Sequence, residues 1–228
     1  MLMLQENWRR SRMLRNYLPY FLIVATTCLM LGLPKLSTKI SSPQVNGKMT
    51  DKEAPEFSLR TTKKTTFNNS NLKNKWTLLT FGFSKCNGIC PLNLSKLGVL
   101  IDSIKETDAS RLKDLQFVFI SIDKERDNPK SLEDFTSNFS KLIIPLSDGD
   151  DTGPIVSKRF NSYINKQKNK QPDYQISHAG FIYLIDPNSR IKIIYTNEEV
   201  ASEEILSDLK FLGRQYGTGI RKTRLSSM

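Results

Sequence analysis

Hydrophobic and polar residues follow one another in blocks that predict strands and helices. A continuous apolar run at Leu78–Phe83 predicts a strand buried on both faces. The next block, residues 91–105, has apolar residues at helical spacing and predicts a helix. A second run rich in β-formers, Phe117–Ile122, predicts another strand. The centre of the chain is therefore expected to fold as strand, helix, strand.

The later blocks continue this alternation. They predict a helix from Asn128-Pro129 to about Phe139, a strand at Leu142–Leu146, a helix at Pro154–Ile164 and a polar loop at 165–173. They end with strands at Phe181–Ile185 and Ile191–Tyr195 around a turn, and a helix at Ser202–Leu212 stopped by Gly213. This order predicts an α/β fold, a mixed sheet flanked by helices.

An uncharged apolar segment, residues 17–33, precedes the domain and follows four arginines. As a helix it would span about 25 Å, slightly less than a hydrocarbon core of about 30 Å. Its flanking tyrosines and the snorkelling of Arg15 and Lys35 would cover the difference. We expect one transmembrane anchor, with the N-terminus inside and the domain outside. A cleaved signal peptide and a buried helix are the alternatives.

The anchor divides the chain into five segments. Residues 1–16 form a basic N-terminal segment, 17–33 the anchor and 34–53 a polar linker. Residues 54–212 form the folded domain, and 213–228 form a basic tail with little to bury, expected to be disordered.

The net charge of +11 lies mostly at the two ends. Residues 1–39 contain six Lys/Arg and one Glu, and residues 210–228 contain five Lys/Arg and no acid. The domain between them is nearly neutral, so no nucleic-acid partner is expected. Basic ends close to anionic lipid headgroups are the simpler explanation.

The domain has very few ligands for a soft metal. Cys28 lies in the apolar segment, which leaves Cys86 and Cys90 as the domain's cysteines, and His178 is the chain's single histidine. Residues 50–227 contain no methionine. Helix onset at Pro91 would place Cys90 at the helix N-terminus and Cys86 in the preceding loop, where backbone N–H groups favour a thiolate.

The Cys-x-x-x-Cys spacing alone leaves four readings open. A disulfide is sterically allowed but would close a very short loop and stabilise little. A dithiol oxidoreductase usually has Cys-x-x-Cys, and a structural zinc site would lack a fourth Cys or His ligand. Copper(I) accepts two thiolates and an imidazole.

Three ordered motifs resemble the Sco/SenC family. Residues 81–91, FGFSKCNGICP, are similar to the family's GFTxCPxxCP. Residues 119–129, FISIDKERDNP, are similar to FISVDPERDTP, and residues 174–187, YQISHAGFIYLIDP, to YxVDHSxxxYLxDP. The likeness covers about residues 54–212 behind a single anchor.

This resemblance implies a thioredoxin-like copper chaperone for cytochrome c oxidase assembly. Cys86, Cys90 and His178 would then hold one copper ion, most simply Cu(I). The implied partners are the oxidase's copper-binding subunit, a copper donor and a thiol reductant. The setting would be the outer side of a bacterial inner membrane, facing the periplasm, or of the mitochondrial inner membrane, facing the intermembrane space. The alternative is a thiol–disulfide oxidoreductase with Cys86 and Cys90 as catalytic residues. A peroxide-reducing relative is disfavoured, because no activating Arg and Thr flank Cys86.

The chain departs from the family motifs at two positions near the ligands. Asn87 replaces a proline after the first cysteine, and we expect a looser loop. Ser177 replaces an acidic residue before the histidine and offers the imidazole a weaker hydrogen bond. Asp123 and Asp127, at the end of the second strand, are either supports behind the ligands or ordinary loop acids.

Overall fold

The computed structural model describes residues 19–28, 45–166, 174, 176–196 and 199–215. The chain divides into two units, Met1–Gln44 and Val45–Met228. In the first unit, residues 19–28 form a helix with exposed side chains, and the rest of the predicted anchor lies outside the described residues. Within the described ranges, no helix has both the length and the apolar character needed to cross a membrane.

The second unit is built on a large mixed sheet. Its strands are β1 (Lys48–Glu53), β2 (Ser58–Thr61), β3 (Thr66–Asn68), β4 (Trp76–Gly82), β5 (Leu115–Ser121), β6 (Ile143–Ser147), β9 (Ile182–Ile185) and β10 (Arg190–Tyr195). Their order is β1-β10-β9-β4-β5-β6-β2-β3. Strands β4, β5 and β6 are mutually parallel, and the other pairs are antiparallel. A separate two-stranded sheet pairs β7 (Ile164–Lys166) with β8 (Ile176–His178).

Among the described residues of this unit, four α-helices accompany the sheet: α1 (Ile89–Asp108), α2 (Pro129–Ser137), α3 (Gly153–Arg159) and α4 (Ser202–Gln215). Neighbouring residues of a strand point to opposite faces. A Cβ on Gly82 would touch Cys90 of α1, whereas the ring of Phe81 packs against Phe160, which follows α3. Helices therefore lie on both faces of the sheet, as predicted.

The centre of the sheet is buried on both faces. All seven residues of β4 and all seven of β5 are buried. Their largely apolar sequences, without polar residues at every second position, are typical of strands buried on both faces. The C-terminal ends of these two parallel strands meet at one edge, where the loops 83–88 and 122–128 begin.

Several predicted elements are confirmed with small shifts of their boundaries. The side chain of Asn128 caps α2 by accepting from the Ser131 backbone N–H, and Pro129 occupies the first turn. The turn between β9 and β10 is built by Asp186, whose carboxylate accepts from the N–H groups of Asn188 and Arg190. These local signals depend on near neighbours, so the sequence contains them directly.

Other boundaries differ from prediction. Helix α3 ends at Arg159, not Ile164, because Asn161 takes a left-handed conformation with φ 55°. Residues 165–166 belong to β7 rather than to a loop, and 167–173 lie outside the described residues. Helix α4 continues through Gly213 to Gln215, and the predicted disordered tail, from residue 216 on, is outside the described residues.

The segment predicted as a linker, 34–53, also contains structure. Residues 34–44 lie outside the described residues, but Lys48–Glu53 forms β1 and pairs with β10. Five of its six side chains are exposed, so its sequence carries no strong apolar signal. Backbone hydrogen bonds to the neighbouring strand hold it in place.

Candidate metal centre

The two cysteines lie on the loop that leaves β4 and at the start of α1. Cys90 is in the first helical turn and only 2% exposed, whereas Cys86 is half-buried in the loop before it. The Cys86 N–H donates to the carbonyl of Phe83 at 3.2 Å, which turns the loop back toward the strand. The pair therefore has one enclosed sulfur and one accessible sulfur.

A glycine at the end of β4 makes room for Cys90. A Cβ on Gly82 would lie 2.5 Å from the Cys90 Sγ and 2.8 Å from the ring of Phe119. Any larger residue would displace the sulfur or the ring. Cys90 thus sits directly against the strand backbone.

The third residue, His178, ends β8 and reaches the two sulfurs across the sheet edge. Its Nε2 lies 3.1 Å from the Cys90 Sγ and 3.8 Å from the Cys86 Sγ. Its Nδ1 lies 3.2 Å from the carbonyl oxygen of Ala179. To serve as a metal ligand, the ring would carry its proton on Nδ1, facing that carbonyl, and present the Nε2 lone pair to the ion.

The chain after His178 is fixed to α1. The buried Asn93 of α1 donates from Nδ2 to the Gly180 carbonyl at 3.0 Å. A Cβ on Gly180 would lie 2.0 Å from a side-chain carbon of Ile89, so only glycine allows this close approach. The helix that carries Cys90 therefore also anchors the segment that carries His178.

A buried carboxylate supports the cysteine loop from behind. Asp127 accepts from the Ser84 N–H at 3.0 Å, from the Ser84 hydroxyl, and from the Ser121 hydroxyl at 2.6 Å. Burial raises the pKa of Asp127 although these hydrogen bonds oppose the shift. The carboxylate joins the loop before Cys86 to the end of β5.

The two thiols differ in acidity because they interact with each other. The hydrogen bond from Cys90, with help from His178 and the N–H groups of Gly88 and Cys90, lowers the pKa of Cys86 to about 4. The same interaction with Cys86, together with burial, raises the pKa of Cys90. At neutral pH the accessible sulfur is a thiolate and the enclosed one keeps its proton.

The three side chains fit a soft metal ion. Their ligand atoms all lie within 4.8 Å of one another. Metal–sulfur and metal–nitrogen bonds of about 2.0–2.3 Å, as in zinc sites, separate the atoms around a three-coordinate ion by roughly 3.5–4 Å, so small movements would suffice. Two thiolates and one imidazole are donors that suit copper(I).

The structure brings together Cys86, Cys90 and His178, the residues that the family resemblance implies as copper ligands. The side chains of Asn87 and Ser177 are exposed, and the ring of His178 is oriented by the Ala179 carbonyl instead. Two residues that support the site, Asn93 and Ser84, were not predicted. A polar residue among the apolar positions of the predicted helix was the signal for Asn93. The spacing of the residues could not show that its hydrogen-bond partner is the Gly180 carbonyl.

The sequence model of the SCO1/SenC family matches residues 46–212. The chain belongs to this family. The match includes β1, so the family domain begins before residue 54, where we predicted it to start.

Relatives in yeast, bacteria and plants agree with this family. The chain is 36% identical over 126 residues to Protein SCO2, mitochondrial, of Saccharomyces cerevisiae, covering 54% of this chain and 41% of that protein. It therefore spans less than half of that relative's length. It is 30% identical over 147 residues to SCO2-like protein RP587 of Rickettsia prowazekii, covering 63% of this chain and 69% of that protein.

A solved relative superimposes on the domain. The crystal structure of Arabidopsis thaliana ScoI with copper bound matches with a TM-score of 0.63 and 30% identity, covering 72% of this chain and 99% of that one. The thioredoxin-like fold expected from the resemblance is thereby confirmed.

The asymmetry of the two thiols gives a first prediction. Because the pKa of Cys86 is about 4, its alkylation by iodoacetamide should stay fast down to about pH 5 and slow as the pH falls through that pKa. Cys90→Ala removes the donated hydrogen bond and should move the fall in rate to higher pH. Mass spectrometry of the labelled peptide measures both profiles. A Cys86 rate that falls near pH 8 in the unsubstituted protein would contradict this account.

Proposed function

We propose that the protein is a copper chaperone for the binuclear copper site of cytochrome c oxidase. The observation that carries the proposal is the convergence of Cys86, Cys90 and His178 in a family member. A superimposable relative has been crystallised with copper bound. The oxidase as recipient follows from the family resemblance.

The geometry suits an ion that is held and then passed on. Copper is the cargo, bound by the two sulfurs and the Nε2 of His178. Cys86 and His178 are partly exposed, so thiolates of a partner can approach the ion from their side, while the buried Cys90 holds it from beneath. Binding requires the reduced pair, since a disulfide sulfur is not a thiolate ligand.

Copper binding to the reduced full chain tests this proposal. We expect one Cu(I) per chain. His178→Ala should lower the affinity at least about tenfold, because loss of a group that only supports a ligand already costs about that much. Titration against a Cu(I)-specific chelator measures both affinities. Tyr163→Phe serves as the control, because the Tyr163 side chain is exposed, and it should leave the affinity unchanged. Equal affinity with and without His178, or no binding, would refute the three-ligand site.

A second candidate function is reduction of the partner's cysteines, favoured by the low pKa of Cys86. The Cys86 thiolate would attack one sulfur of a partner disulfide and form a mixed disulfide. Cys90, once deprotonated, would attack the Cys86 sulfur and release the partner's dithiol. Two electrons pass to the partner, and the Cys86–Cys90 pair becomes a disulfide.

Variants of the same three residues separate the two functions. In the redox route Cys90→Ser should trap a mixed disulfide through Cys86, whereas Cys86→Ser should trap none. His178→Ala should keep this reactivity while losing copper affinity. Non-reducing electrophoresis with an oxidised fragment of the oxidase subunit measures the trapped species. No mixed disulfide with Cys90→Ser would exclude the reductase function.

We also propose that residues 17–33 anchor the protein in a membrane with its domain on the outer side. The support is the uncharged apolar sequence after four arginines. The setting is a bacterial inner membrane or the mitochondrial inner membrane, since relatives occur in Rickettsia and in mitochondria.

Extraction of isolated membranes tests the anchor. The full chain should stay with the membrane in alkaline carbonate, and a chain lacking residues 1–39 should be released. Protease added to the outer side should digest the domain. Full release of the intact chain by carbonate would contradict a spanning anchor.

A further inference from the structure

The histidine is carried by an element that is weak on its own. Strands β7 and β8 have three residues each and form a sheet separate from the main one. Two-stranded hairpins are marginally stable at best in water. His178 pairs with Ile164 at one end of this small sheet. Contacts outside the hairpin must therefore hold the imidazole at its distance from the sulfurs.

One end of the hairpin is held by Tyr174, which precedes β8 and is buried. The Tyr174 hydroxyl donates to the carboxylate of Asp123. Arg126 donates from Nη1 to the Tyr174 carbonyl at 2.9 Å, and its guanidinium carbon lies 3.8 Å from the centre of the tyrosine ring. Arg126 is itself paired with Asp123. These three residues form a closed cluster, which we call the tyrosine clamp.

Side-chain contacts also connect the tyrosine clamp to the imidazole. The Arg126 guanidinium carbon also lies 5.3 Å from the centre of the Phe83 ring. Phe83 in turn meets the ring of His178 edge-on, with centres 5.7 Å apart. A row of side chains therefore links Tyr174 to the ring of His178.

The first strand of the hairpin, β7, contacts the same loop. Lys166, the last residue of β7, forms an ion pair with Glu125 at 2.8 Å. Its ammonium also lies 4.2 Å from the centre of the Tyr174 ring. Lys166 of β7 and Tyr174, which precedes β8, thus both contact residues 123–126.

We propose that Tyr174, held by Asp123 and Arg126, is a positioning residue that sets the distance of His178 from the two sulfurs. This inference rests on the proposed copper function. The loop between β5 and α2 then fixes both halves of the site, because Asp127 holds the cysteine loop through Ser84 while Asp123 and Arg126 hold the histidine hairpin. The contacts described for Tyr174 are with Asp123, Arg126 and Lys166, and not with the expected ligands.

Removing one hydroxyl group tests the clamp. Tyr174→Phe keeps the ring against Arg126 but loses the hydrogen bond to Asp123. We expect the full chain to bind Cu(I) about tenfold more weakly, a typical effect of a group that orients a metal ligand. The loss should not exceed that caused by His178→Ala. Chelator competition in detergent solution measures each affinity.

A double variant separates positioning from a general loss of stability. In the His178→Ala background, Tyr174→Phe should change the affinity by less than about twofold, because no imidazole remains to be positioned. Tyr195→Phe is the matched control: it removes another buried tyrosine–carboxylate hydrogen bond, 3.0 Å to Asp208. That control should leave the copper affinity unchanged.

A measurement without metal makes the test independent of copper binding. Amide hydrogen exchange of the apo chain should speed up in β7 and β8 with Tyr174→Phe, and remain unchanged in β4 and β5. Unchanged exchange in the hairpin would overturn the inference. The inference would also be overturned if Tyr174→Phe kept the Cu(I) affinity within about twofold of the unsubstituted protein. The same holds if Tyr174→Phe lowered the affinity equally in the His178→Ala background. If His178→Ala itself has no effect on affinity, the copper function fails, and hydrogen exchange alone decides the role of Tyr174.

Discussion

A carboxylate buried at the sheet edge is the constraint on which the site depends. Asp127 would be costly to bury without partners, and Ser84 and Ser121 supply hydrogen bonds that offset this cost. Ser121 ends β5, and Ser84 belongs to the loop that leaves β4. Satisfying one carboxylate therefore sets the path of the loop on which Cys86 lies. The parallel pairing of β4 with β5 brings these groups to the same edge.

Much of the fold was predictable because its signals are local or periodic. The apolar runs of β4 and β5, the cap at Asn128 and the turn at Asp186 each depend on residues close in sequence. Strand β1, with five exposed side chains, is held by pairing with the distant strand β10, and the three-residue strands β7 and β8 pair with each other. Such pairing leaves little trace in the pattern of apolar positions. Gly213 is a local signal that misled the prediction: it predicts the end of a helix, but α4 continues through it to Gln215.

The candidate site also has features that the sequence predicts and features that it does not. The three ligand types were identified because the domain has so few soft donors, and the family motifs placed them in order. What spacing could not provide is the set of contacts that fixes their distances. Asn93 to Gly180, Ser84 to Asp127 and Tyr174 to Asp123 each join segments far apart in sequence. At position 177, where the family motif has an acidic residue, the serine side chain is exposed, and a backbone carbonyl faces Nδ1 of the histidine.

The unequal burial of the two sulfurs has a consequence for damage by oxidants. A peroxide reaching the edge of the sheet meets Cys86 first, because Cys90 is only 2% exposed. The sulfenic acid formed there lies next to a second thiol, and condensation to a disulfide expels water before further oxygen atoms can be added. Cellular thiols can reverse a disulfide, whereas a sulfonic acid is permanent. Enclosing one cysteine beneath the other therefore protects an exposed, low-pKa sulfur from irreversible loss.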